Sequence, residues 1–151
     1  MFKTIVVGTD GSEGAMRAVV TAADLAASQS GATLHIVSVQ KPMAATAIAS
    51  SEMAVASGSA AGLEWEQEAR QQLEGTLEQS ARDAAREGVT IETHARFGSP
   101  AEVLCDLAAH LQADLIVVGN KGMQGGRRFL GSVPNTVSHH SPCSVLILDT
   151  Q

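Results

Sequence analysis

Leu115-Ile116-Val117-Val118-Gly119-Asn120-Lys121-Gly122 is the stretch that decides the fold. Four apolar residues, three of them β-branched, read as a buried strand, and the glycines behind them end it. After eight intervening residues, Gly131-Ser132-Val133 opens a short helix that ends before Ser141-Pro142. A strand that runs into glycines and then a helix start is an arrangement with which backbone N–H groups cradle phosphate.

Outward from this stretch, the same alternation recurs. Lys3 to Gly8 is a short β-branched run and predicts the first strand. Ser12 to Ser30 has helical spacing, with Ala15, Val19, Ala22, Ala23 and Ala26 on one face, Ser12 as N-cap and Gly31 as the stop. Ala32 to Val39 predicts a second strand. Lys41 to Gly62 is rich in Ala, Ser and Met without periodicity and reads as a mobile loop. Leu63 to Glu87 predicts the longest helix, with Leu73, Leu77 and Ala81 on its inner face. Val89 to Ala95 predicts the third strand. Ser99-Pro100-Ala101-Glu102 has the form of a capping box and opens a helix to Gln112. Leu115 to Gly119 and Ser144 to Leu148 are the fourth and fifth strands. Strands alternating with helices imply an α/β fold: a three-layer arrangement of one parallel sheet with helices on both faces, in a single domain spanning residues 1–151.

Composition narrows the function. The chain has 151 residues, a net charge of -6 and only one Trp, three Phe and no Tyr. So acidic and aromatic-poor a surface argues against nucleic acid and anionic membranes as partners. From Leu115 to Leu148, however, there is no Asp or Glu, while Lys121, Arg127 and Arg128 fall within that window. A locally basic surface on an acidic protein points to a small anionic ligand. Cys105 and Cys143 form no C-x-x-C pair, and neither a leader peptide nor an 18-residue apolar run is read, so a cytoplasmic protein is expected.

The glycines carry the chemistry. Gly119 permits close approach of a ligand to the strand end, Gly122, Gly125 and Gly126 permit tight turns, and Gly131-Ser132 supplies a helix N-terminus. Ser132 either caps that helix or donates to a phosphate oxygen. The segment Gly126 to Ser132 has Walker-like glycine spacing but lacks the lysine before its serine, and the first strand ends in Gly8-Thr9-Asp10-Gly11-Ser12 rather than a dinucleotide fingerprint. Asp10, just past the carboxyl end of the first strand, suits a ribose hydroxyl or an adenine amino group.

Three segments together resemble the universal stress protein family: Val6-Val7-Gly8-Thr9-Asp10-Gly11-Ser12, Ala113 to Met123, and Leu130 to Leu148. The resemblance covers nearly the whole chain. The family's ATP-binding pattern, G-x2-G-x9-G-[S/T], is filled by Gly119, Gly122, Gly131 and Ser132 with one residue fewer in the second gap. The resemblance implies a Rossmann-like five-stranded parallel sheet of order 3-2-1-4-5. It also implies a nucleotide site comprising Gly8, Thr9, Asp10, Val39, Gly119, Lys121, Gly122, Met123, Gly131, Ser132 and Val133. Asp10 would meet the ribose or base, Val39 the adenine, and Gly131, Ser132 and Val133 the phosphates. It further implies a homodimer paired through Ser144 to Leu148.

The expected function is ATP binding, with Mg²⁺ as a possible companion ion, in stress response or regulation. Binding of AMP or cyclic AMP as a sensor, or slow ATP hydrolysis, are the alternatives; no catalytic residue and no metal ligand is assigned. His139-His140 reads as a helix C-terminal feature, His35 as packing, and His94 and His110 as members of no constellation. Met43 and Met53 read as loosely packed core.

Overall fold

The computed structural model describes residues 1–42, 60–120 and 131–150. Five strands, β1 (Thr4–Gly8), β2 (Thr33–Gln40), β3 (Thr90–Phe97), β4 (Leu115–Gly119) and β5 (Ser144–Leu148), alternate with four helices, α1 (Glu13–Ala27), α2 (Ala60–Ala84), α3 (Pro100–His110) and α4 (Ser132–His140). The sheet order is β3-β2-β1-β4-β5, and every pairing is parallel.

β1 is the axis of the molecule. Ile5, Val6 and Val7 are fully buried, because the strand has a neighbour on each edge and a helical layer on each face. Ile5 and Val7 join Leu34, Ile36 and Val117 beneath α1 and α2, while Val6 joins Val37, Ile116 and Val118 beneath α3 and α4. This period-two division is why the strands read as continuous apolar runs. Each such aliphatic side chain contributes about 1.5–3 kcal/mol by leaving water.

α1 packs through Ala18, Val19, Ala22, Ala23 and Ala26, small residues that let it lie close to the sheet. Its N-cap is Ser12, as the spacing predicts, and Ser12 Oγ accepts from the Ala15 N–H at 3.3 Å. α2 buries Ala69, Leu73, Leu77, Ser80 and Ala84, and the Ser80 hydroxyl satisfies itself on the Thr76 carbonyl at 2.7 Å. The helix ends at Ala84 rather than Glu87. Most of the segment expected to be a loop, with Met43 and Met53, lies outside the described residues.

The expected capping box at α3 is not formed. Ser99 occupies the N-cap position with extended backbone, but its side chain makes no cap hydrogen bond. Pro100 at the first position has no N–H to satisfy, so one demand on a cap is already removed. At α4 the N-cap is Gly131 and not Ser132, again without a side-chain cap.

Asp114, at the start of β4, ties the other end of the sheet. Its Oδ2 accepts from the backbone N–H of Lys3 at 2.8 Å and of Thr4 at 2.9 Å. These bonds, that of Thr4 foremost, hold its carboxyl below the usual carboxylate range. The stabilisation is therefore complete above the unfolded pKa and is lost as pH falls through the lower folded value. Asp114→Asn is expected to cost about 0.5–1 kcal/mol near neutrality, the partial exposure keeping the figure small. Urea unfolding of both proteins at neutral pH and well below pH ~3.9 checks this; a difference that does not shrink in acid would refute it.

Candidate functional site

Parallel strands end on one edge, and here that edge is hollow. A cavity of about 230 Å³ lies past the carboxyl ends of β1, β2 and β4. It sits where the sheet changes hand of cover: α1 and α2 lie on one face and α3 and α4 on the other, so none of the described helices closes the gap between the ends of β1 and β4.

Seven of the residues expected at the site line it: Gly8, Thr9, Asp10, Val39, Gly119, Ser132 and Val133. Gly131 stands immediately before this wall as the N-cap of α4. Lys121, Gly122 and Met123 lie outside the described residues.

The β1 wall is a shaped turn. Thr9 donates its N–H to the Val37 carbonyl at 2.8 Å, which carries the parallel pairing one residue beyond β1. Its hydroxyl accepts from Gly11 N–H at 3.2 Å, and Asp10 Oδ1 accepts from Ser12 N–H at 3.0 Å. Gly11 has φ +77°, a conformation costly for other residues, and this allows the chain to turn at once into α1. Asp10 is thereby held exposed at the rim, the one charged side chain among the described lining residues.

The apolar wall comes from Val37 and Val39 of β2, Val118 of β4, Leu104 of α3 and Pro134 of α4. Three helix starts converge on the same space: Gly14 and Ala15 of α1, Pro100 of α3, and Ser132 of α4. The N–H groups at these starts are a positive surface, and at α3 and α4 no side-chain cap consumes them.

Thr150, beyond β5, was not expected here. Asn120, buried at the end of β4, accepts at Oδ1 from the Thr150 N–H and hydroxyl, both at 3.1 Å, and donates its own N–H to the Leu148 carbonyl. Thr150 is so placed that a methyl group added at Gly119 would lie 3.0 Å from its Cγ2, and one at Gly14 only 2.9 Å from its Oγ1. The two glycines therefore make room for Thr150. Pro100 and Leu104 were also missed; their signal was that α3 begins where β3 ends, on the hollow edge of the sheet.

The histidines need a correction. His94 does belong to a constellation: its Nε2 lies 3.0 Å from His35 Nδ1, and Glu92 Oε2 lies 3.5 Å from that same nitrogen. The register of β2 against β3 places Glu92 opposite His35, which sequence spacing does not disclose. Burial lowers the proton affinity of both imidazoles; at His35 Glu92 opposes it, and at His94 the neighbouring His35 and Arg96 add to it. None of the three lines the cavity. His139 and His140 occupy the last turn of α4, as expected. Cys105 is buried and its thiol is pushed up by burial first, then by Asp106 and Cys143.

The sequence matches the universal stress protein family over residues 1–149. The chain belongs to the universal stress protein family. It is 37% identical over 154 residues to universal stress protein Rv1636 of Mycobacterium tuberculosis strain H37Rv, covering 99% of this chain and 97% of that one. Among solved structures it resembles a universal stress protein in complex with cAMP, at 32% identity and TM-score 0.72, covering 99% and 98% of the two chains. The fold is also that of hypothetical protein MJ0577, at TM-score 0.78, 21% identity and coverage of 99% and 96%. The five-stranded order and Rossmann-like layering of the family are those described above.

Contact between Thr150 and Gly119 predicts a coupling. Gly119→Ala is expected to destabilise this universal stress protein by about 1–3 kcal/mol through crowding. Thr150→Ala removes the crowded atoms, so the double variant should lose less than the sum of the single losses by at least about 0.5 kcal/mol. Strictly additive losses in urea unfolding would show that the two residues do not pack together.

Proposed function

We propose that this universal stress protein binds an adenine nucleotide in the cavity between β1 and β4 and serves stress response or regulation through that binding. The carrying observation is the polarity of the cavity. A carboxylate, Asp10, stands at one rim, while the uncapped starts of α3 and α4 face the same space. A ribose hydroxyl or adenine amino group is a donor and suits Asp10; a phosphate is an acceptor and suits the helix starts. The apolar surface of Val37, Val39 and Leu104 between them suits a base.

ATP is the ligand implied by the glycine pattern of Gly119, Gly122, Gly131 and Ser132. Cyclic AMP is the second reading, favoured by the relative whose structure is described in complex with cAMP. No lysine or arginine lines the cavity among the described residues, and a cyclic phosphate carries one charge where a triphosphate carries several. Binding without turnover is proposed, because Asp10 is the sole described carboxylate at the cavity and it stands at the rim already engaged with Ser12.

Calorimetric titration of ATP, AMP and cyclic AMP, with and without Mg²⁺, tests this. One nucleotide per chain is expected, with Asp10→Ala weakening it by about tenfold, the value of one good hydrogen bond to a charged group. No phosphate should be released over hours. Absence of binding by all three would overturn the proposal; release of phosphate would turn it to a slow hydrolase.

A homodimer is proposed from the sheet edge. β5 is a terminal strand whose Val145, Leu146, Ile147 and Leu148 are only half-buried, and an apolar edge of this kind calls for a partner. Sedimentation equilibrium should give twice the chain mass of 15.6 kDa; a monomer at all concentrations would refute the pairing.

A further inference from the structure

His35, Glu92 and His94 lie on the α3 side of the sheet, His35 on β2 and the other two on the edge strand β3. Their assembly follows from register alone. β2 and β3 run parallel with His35 opposite Glu92 and Val37 opposite His94, so Glu92 faces His35 directly and His94 meets it on the diagonal. His35 is buried, His94 half-buried and Glu92 exposed. One donor atom from each residue lies within 4.8 Å of the other two. The shorter separations are 3.0 Å between the imidazole nitrogens and 3.5 Å from His35 Nδ1 to Glu92 Oε2.

These separations have a chemical meaning. Tetrahedral coordination at bond lengths of about 2.0–2.2 Å places donor atoms about 3.3–3.5 Å apart. The 3.5 Å separation falls in that range and the 3.0 Å one lies a few tenths of an ångström below it, within reach of a side-chain adjustment. We propose that His35, Glu92 and His94 form a binding site for one divalent transition-metal ion of the Zn²⁺ class, with the fourth position open to water.

Two imidazoles and one carboxylate select against Mg²⁺ and Ca²⁺, which take oxygen donors, and for Zn²⁺ and its neighbours. Imidazole must be neutral to ligate, and burial favours that state at both residues. A hydrogen bond between the two rings holds them in the metal-free chain, with one nitrogen donating and the other accepting. Metal binding at both nitrogens requires each neutral ring to carry its proton on its other nitrogen, Nε2 of His35 and Nδ1 of His94. Arg96 opposes this, because its Nη2 stands 3.5 Å from His94 Nδ1, the atom that must then be protonated. Glu92, whose side chain is about half exposed, supplies the negative charge that offsets Arg96.

The site is independent of the nucleotide reading. His35 precedes Val37 on β2, and Val37 lines the cavity, yet no member of the trio does. Its test therefore uses the metal alone.

Tag-free protein stripped with chelator is titrated with ZnCl₂ against a chromophoric competitor, and with Co²⁺ while its visible d–d absorption is followed. One equivalent of Zn²⁺ should bind, unmoved by excess Mg²⁺, and Co²⁺ should develop tetrahedral bands that Zn²⁺ displaces. Glu92→Gln and His94→Gln, both at accessible positions, should each weaken binding by about tenfold or more while circular dichroism stays that of the wild type. Arg96→Gln should bind at least as tightly as the wild type. His139→Gln/His140→Gln should leave binding unchanged. The assignment falls if the wild type binds no Zn²⁺, if Glu92→Gln and His94→Gln bind as it does, if Arg96→Gln binds more weakly, or if the His139/His140 variant loses the metal.

Discussion

A strand buried on both faces needs a backbone partner on each edge and a cover over every side chain, and β1 meets both demands. Its pairing with β4, Ile5 opposite Leu115 through Val7 opposite Val117, is the junction on which the rest depends. On one side of it the crossovers place α1 and α2 on one face; on the other they place α3 and α4 on the opposite face. Right-handed crossovers make this reversal unavoidable once the chain winds outward in both directions from β1. The hollow beyond Gly8 and Gly119 is thus a by-product of topology, and the residues around it only decide what it holds.

Much of that could be read from the residues in order. The apolar runs at Ile5–Val7 and Leu115–Val118 are local signals, because a doubly buried strand has no polar face. Asp10, Gly119 and Ser132 were legible for the same reason: each sits at the end of an element, next to a turn or helix start with its own sequence mark. The order of the strands and the remaining family positions came from the resemblance, since alternation alone does not rank neighbours. Boundaries moved by up to three residues, as at the ends of α1 and α2, because a glycine marks the turn that follows a helix and not its last hydrogen-bonded residue.

What sequence did not show depends on distance through space. Leu104 and Pro100 reach the cavity only because α3 lies over β1 and β4. Thr150 reaches it only because Asn120 draws the chain back. His35 and His94 are 59 positions apart, and their meeting needs the register of β2 on β3, which a one-residue slip would abolish by turning one set of side chains to the other face. The same pairing leaves a histidine and a carboxylate on an edge strand, where an uncovered polar cluster is tolerated and an apolar one would invite aggregation.

Asn120 has a consequence for the segment that follows it. Its hydrogen bonds fix the start of the β4-to-α4 connection against the residues after β5, while Gly131 is fixed by the Asn135 N–H on its carbonyl at 3.1 Å. The residues on either side of the glycine-rich connection are therefore both anchored to the folded sheet and its helices. A connection whose flanking residues are already held has its loop-closure cost met by the fold itself. Asn120 acts as a tether between the ends of β4 and β5, from outside the lining of the cavity.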